Sequence, residues 1–480
     1  MMRQSEERKR LIQIEMSERR EDIQAWKIGM VFITVILAAM FALGSFRGWD
    51  ANSGYTHNIS KTSRGRFLPE PYHEEFNVTG RYGIDASARW YYWKLAPQRV
   101  TVLTRGAVWL CYIFHQVFVW TVIYEAQIRR RQSQEQKYST DLAPPNWKAL
   151  YINACFHLVH LIQTHVFYDA LAQDVSVASS QGSVIMLLVL VLLMEYKDRG
   201  LAFGWPTEES QGFFSQKLRL GTKPIDFIRK YHGYAFAWAA VYTFWYHPME
   251  NTWAHASGFV FTWMLMLQGS LMYTNMHLNR YWRLLLEFWA LVHATAVAVQ
   301  SGGPDLNGTK MWPMFFCGFL WLFAMTQLFG LPFWAKLPAF TRFLPFVCYS
   351  GFVIWLFSWL PEKADRPWVR INEAFRIPVI EYLLVVLAWF VMNTVLRSNE
   401  WVSFIRMRSG AVVVPKIVYT CGFLGIYVGL VTISWLVQAL DAQFYIVPIT
   451  ICLTLIYIVG ACLSFVLVHQ KLHGAEQKIK

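Results

Sequence analysis

KIGMVFITVILAAMFALGS, residues 27–45, carries one charge, at its first position. An α-helix rises about 1.5 Å per residue, so about 20 apolar residues cross the roughly 30 Å of bilayer hydrocarbon. This stretch is therefore long enough and apolar enough to span a membrane. Similar runs follow near 100–123, 149–168, 180–196, 232–247, 255–274, 282–300, 311–330, 343–360, 377–396, 413–437 and 443–468. The fold class that results is an all-α polytopic integral membrane protein of about twelve transmembrane helices.

Composition agrees. Of the 480 residues, 55 % are hydrophobic and 16 % charged, where a soluble domain carries about 25 % charge. These values exclude a disordered chain and a soluble domain of ordinary composition. The formal net charge is +13, but the positive residues sit in short segments between apolar runs. There they act as topology signals and contacts for anionic lipid headgroups, not as a nucleic-acid surface. All seven cysteines lie in apolar runs, which gives no disulfide framework and reads as small core residues.

Placing the N-terminus in the cytosol and alternating sides puts most Lys and Arg on cytosolic segments, so both termini are expected there. The sequons at Asn58, Asn77 and Asn307 then all fall on the opposite side, as glycosylation would require. The expected home is the plasma membrane or another membrane of the secretory pathway. Residues 1–26 read as a charged cytosolic helix and 27–480 as one transmembrane domain. Within it, 46–98 is an extracytosolic loop or cap, 149–300 a histidine-rich functional half, 311–468 scaffold helices and 469–480 a cytosolic tail.

Ionisable groups inside a bilayer are costly and mark function by default. Three stretches pack rare polar types into apolar surroundings: QTHVFYDALAQD (163–174), FWYHPMENTWAH (244–255) and MLQGSLMYTNMHLNRYW (266–282). On the twelve-span plan His165, Asp169, Asp174, His247, Glu250, His255 and His293 gather near the outer boundary. His115, His157 and His160 lie nearer mid-membrane. Neutral imidazoles with carboxylates can bind zinc, copper or iron. His165, Asp169, His247 and His255 are the expected ligands, with His293 joining them or orienting one. Asp174 and Glu250 are expected to act as general acid or base.

Three functions compete. The leading one is a metal-dependent membrane enzyme acting on a lipid-like or hydrophobic substrate. The second is a proton-linked transporter of a small hydrophobic or aromatic solute. The third is a bis-histidine heme protein, in which His232 and His247 bracket one run and His277 and His293 another. Glycosylation gives the first test. Asn58→Gln, Asn77→Gln and Asn307→Gln should each remove one step of an endoglycosidase-sensitive mobility shift. A shift that survives all three together would contradict the assigned sides.

Overall fold

The computed structural model describes residues 20–48, 101–132, 138–166, 171, 175, 177–207, 213–302, 312–360 and 368–409, and the chain there is almost entirely helical. The helices are α1 (Glu21–Phe46), α2 (Val102–Gln132), α3 (Pro144–Val166), α4 (Val177–Met194), α5 (Tyr196–Arg199), α6 (Phe213–Leu218), α7 (Thr222–Tyr246), α8 (Trp253–Ser270), α9 (Arg280–Gly302), α10 (Trp312–Met325), α11 (Leu344–Trp359) and α12 (Glu373–Ser409). Six segments among the described residues are long and apolar enough to cross a membrane: Glu21–Phe46, Val102–Gln132, Arg280–Val299, Trp312–Gly330, Phe340–Trp359 and Glu373–Arg397. The runs expected at 413–437 and 443–468 lie outside the described residues, as do residues 1–19 and the sequons.

The surfaces are those of helices built for lipid. On α1, Ala25, Ile33, Ile36 and Met40 are buried, while Ile28, Val31 and Val35 on the other face are more than half exposed. On α2 the relation is inverted from a soluble helix: His115 and Gln116 are buried, and Ile113, Phe114, Val117 and Phe118 are exposed. A water-soluble protein would bury such apolar faces.

The chain divides into two compact units, residues 1–175 with 233–376 and residues 176–232 with 377–480. In the first, α8 is the hub, packing on α1, α3 and α9. It runs antiparallel to α1, with ring pairs Phe32–Trp263 at 5.1 Å and Phe41–Trp253 at 5.3 Å. Gly29 allows the close approach, because a Cβ there would lie 2.6 Å from Leu267. The α10–α11 pair is held by Tyr349, whose hydroxyl lies 3.0 Å from the Ala374 carbonyl and 3.1 Å from that of Cys317. Pro378 lacks an N–H, so Ala374 O has no helical donor four residues on, and the tyrosine supplies one.

A polar knot closes one end of the first unit. Asp22 is fully buried; its carboxylate takes two hydrogen bonds from Arg20 and one each from the N–H groups of Ile23 and Met276. The hydrogen bonds to Asp22 raise the Arg20 guanidinium above its ordinary value. Glu21 accepts from Leu142 N at 2.9 Å, and Asn146 Nδ2 donates to the carbonyls of Ser270 and Met272. Three segments distant in sequence are thus tied by side chains that satisfy otherwise orphaned backbone groups.

In the second unit, α7 begins ten residues before the apolar run expected at 232–247. Arg229, expected in a segment between apolar runs, lies on this helix with Asp226, and the two pair with Asp198 and Lys197 respectively. Their charges are matched by neighbours, which lets the helix continue through a polar stretch. Trp389 of α12 donates its indole N–H to Gly221 O at 2.9 Å. None of the four described cysteines forms a disulfide. Only Cys317 is buried, and Cys155 and Cys348 are exposed on apolar faces, which corrects their reading as core residues.

Asp22→Ala would leave the buried Met276 N–H without its acceptor, together with the part-buried Ile23 N–H and an Arg20 guanidinium that water still reaches. It should cost about 1–3 kcal/mol, measured by denaturant unfolding in detergent. Lys148→Ala, at an exposed ion pair with Glu125, should cost less than about 1 kcal/mol.

Candidate functional site

A buried polar core runs through the first unit. At its centre four helices are joined in one chain of hydrogen bonds. Trp245 Nε1 of α7 donates to His115 Nδ1 of α2 at 3.1 Å, and His115 Nε2 lies 2.9 Å from Asn153 Oδ1 of α3. Asn153 Nδ2 donates to Ser270 Oγ of α8 at 2.9 Å, and Ser270 donates to Met266 O at 2.8 Å. The direction fixes a tautomer. An indole N–H only donates, so His115 accepts at Nδ1 and carries its proton on Nε2. The ring is therefore neutral.

Aromatic side chains enclose these groups. His115 stacks on Phe156 at 4.4 Å, and His160 lies against Phe244 at 4.4 Å and Trp245 at 4.5 Å. His157 packs on Phe244 and Trp263 and donates from Nδ1 to Asn153 O, which leaves its Nε2 buried with no hydrogen-bond partner. His157, His160 and Thr164 share one face of α3, and all three are buried.

The second group of histidines gathers at the turn between α7 and α8. His247 and His255 face each other edge to face at 5.7 Å between ring centroids, as their placement across a tight turn suggested. Thr252 caps α8, accepting from His255 N, and its hydroxyl lies 2.8 Å from His255 Nδ1. Thr164 of α3 accepts from Met249 N at 2.9 Å, which docks the end of α3 on the same turn. His165, the next residue, is buried, and Arg47 at the end of α1 donates to its carbonyl at 2.7 Å. Glu250 is fully buried in the turn, and Asn251 fills the space against Gly44 of α1, where no Cβ would fit.

His293 of α9 reaches the first turns of α8. Its Nδ1 lies 3.0 Å from Ser257 Oγ, and the serine hydroxyl is 3.0 Å from Ala254 O. The carbonyl can only accept, so the serine donates to it and accepts from His293 Nδ1–H. His247 Nδ1 likewise lies 2.8 Å from the Thr243 carbonyl and must donate to it. Both rings are held as Nδ1–H tautomers whose basic lone pair is on Nε2. This is opposite to His115. Gly258 makes room for His293, since a Cβ there would lie 2.8 Å from Cε1 of the ring.

The expected site residues thus separate. His165, His247, Glu250 and His255 belong to or adjoin one turn, and His293 packs beside it on α8. Asp169 and Asp174 lie outside the described residues. Among the described residues no three His, Cys, Asp or Glu side chains are arranged to hold a metal ion. Of the four histidines considered for heme, His277 sits in a short 3-10 turn with Nδ1 bonded to Gln268 O, and His232 donates from Nδ1 to Arg229 O. Sequence reasoning missed Trp245, Asn153, Ser257 and Ser270, which determine what the histidines can do. Each is ordinary in an apolar helix, and only its partner gives it meaning.

No protein-family model, curated protein or solved structure matches the chain. Fold and site define its class: an almost entirely helical protein with membrane-spanning helices and a buried, histidine-rich polar core.

Asn153 is the pivot of the central chain. Asn153→Leu should destabilise the protein by about 1–2 kcal/mol, because interhelical hydrogen bonds in membranes are individually modest. Ser270→Ala should cost less, and the double variant should fall short of the sum of the two. Strict additivity, measured by unfolding in micelles, would show that the chain is not one unit.

Proposed function

We propose that this chain is a twelve-span membrane protein with both termini in the cytosol, and an enzyme that acts on a lipid-like or hydrophobic substrate at the His247–His255–His293 group. The observation that carries the reading is the locked tautomer of His247 and His293. A neutral imidazole whose Nδ1–H is bonded to a fixed acceptor presents Nε2 as a base. It also has a partner ready to stabilise the cation formed when Nε2 takes a proton. The Thr243 carbonyl serves His247 in this way, and Ser257 serves His293. A substrate hydroxyl reaching either Nε2 would lose its proton there. Glu250, buried in the same turn, is the proposed partner acid. Tyr246, 4.3 Å from His247 between ring centroids, adds an apolar wall suited to a hydrophobic substrate.

The same Nδ1–H bonding is common in metal-ligating histidines. A catalytic metal, however, takes about three protein ligands, and the described side chains do not supply three in one place. Zinc, copper or iron binding would need a further ligand from residues outside those described, such as Asp169 or Asp174. The chemistry above is therefore assigned to the protein's own groups.

The test uses membranes containing the full chain, incubated with a lipophilic extract and followed by mass spectrometry. Wild type should convert at least one component. His247→Ala and His293→Ala should each reduce that conversion by about 100-fold at unchanged expression. Gly258→Ala, which crowds His293, should reduce it as well. Equal conversion by wild type and both histidine variants would overturn the assignment. Stoichiometric zinc, copper or iron in the purified protein, lost in the same variants, would place a metal at the group.

A further inference from the structure

Glu381 lies in the second unit, on the membrane-spanning part of α12. It is 2 % exposed. Its Oε2 is buried and has no hydrogen-bond partner among the described residues. The side chain is not turned toward lipid. The buried positions of α12 after Pro378 are Glu381, Leu384, Val385, Ala388, Met392 and Val395, which recur at intervals of three and four and form one stripe. Val379, Leu383, Val386 and Phe390 form the opposite stripe, and each is at least half exposed. Glu381 is thus the carboxyl group on a protein-facing stripe whose other described positions after Pro378 are apolar.

The neighbouring acid on the same helix shows what a structural carboxylate looks like here. Glu373, at the start of α12, is bonded to Arg370 through both oxygens, at 3.0 and 2.8 Å. Among the described residues Glu381 has no such cation. Glu400, nearer the other end of the helix, is exposed and paired with Lys223 at 2.7 Å. Position matters too. Glu381 is eight residues past Glu373 and sixteen before Arg397, so it sits about 12 Å and about 24 Å from the two ends of the span. That places it within the hydrocarbon and away from headgroups and their water.

An ionised carboxylate with neither cation nor donor is among the least favourable groups a membrane interior can hold, and a leucine there would be stabilising. A carboxyl kept in such a place binds something that removes its charge. A divalent ion would require additional carboxylates or carbonyl ligands. A proton requires none. We propose that Glu381 is a proton-binding site of the membrane interior, holding its proton on the carboxyl and exchanging it with water along the protein-facing side of α12. This goes beyond the enzymatic reading and does not depend on it, because it concerns a different unit and different residues.

The test uses the full-length protein in lipid vesicles and dicyclohexylcarbodiimide, an apolar reagent that attacks protonated carboxyls. The acid proton passes to a carbodiimide nitrogen, the carboxyl oxygen adds to the central carbon, and the adduct rearranges to a stable acylurea detectable by peptide mass spectrometry. In wild type the modification should fall on Glu381 and not on Glu373 or Glu400. Its rate should fall about tenfold per pH unit once pH passes the midpoint for Glu381. Glu381→Gln should remove the label while the protein keeps its elution volume in detergent. Two results would overturn the proposal. One is an unlabelled Glu381 in wild-type protein whose other apolar sites are accessible to the reagent. The other is labelling blocked by sodium at constant pH, which would make the ligand a monovalent cation. Because the decisive measurement is made on wild type, a poorly folding variant does not affect it.

Discussion

Inside a bilayer there is no water to satisfy a polar group, and each one left unbonded costs several kcal/mol. The first unit is arranged around that constraint. Trp245, His115, Asn153 and Ser270 join α7, α2, α3 and α8, and their hydrogen bonds end on the Met266 carbonyl. No helix of the four can slide along its axis by one turn without breaking at least one of these bonds. Hydrophobic burial does not supply that register, because lipid receives an apolar side chain as readily as a neighbouring helix does. The position of α8 against its neighbours therefore rests on a few polar contacts and on small residues such as Gly29 and Gly258.

Tautomer separates two kinds of histidine. His115 uses both nitrogens within the protein, so its lone pair is occupied and its work is structural. His247 and His293 each donate Nδ1–H to the scaffold. The remaining nitrogen of each, Nε2, carries the basic lone pair. A survey by residue type treats all of these as members of one cluster. The donor and acceptor bookkeeping sorts them, because a carbonyl can only accept and an indole N–H can only donate.

The membrane character was legible because it depends only on run length and composition, as in 27–45. The meeting of His247 and His255 was legible as well, since a short turn leaves two flanking side chains few places to go. What stayed hidden depends on partners far away in sequence. Arg229 fell between apolar runs, and only the structure shows it on a helix beside Asp226, matched by Asp198 while Lys197 matches Asp226. Asp22 lay in a charged tail and gave no sign of reaching Met276 N, 254 residues on. A metal shell built from His165, Asp169, His247, His255 and His293 was reasonable by type; Asp169 lies outside the described residues, and among those described no three such side chains are arranged to hold a metal ion. The rings of His247, His255 and His293 are held by Thr243, Thr252 and Ser257, which no spacing rule selects.

The contrast between Asp22 and Glu381 carries the same logic to carboxylates. Both are almost completely buried. Asp22 receives four hydrogen bonds, two of them from a guanidinium, so its charge is spread over fixed donors and the group works as a fastener. The buried Glu381 Oε2 receives none. A fastener is explained by what it holds. A buried acid with no partner among the described residues adds only cost to the folded state, so we account for its place on the protein-facing stripe by a ligand that comes and goes, and the smallest one that removes its charge is the proton.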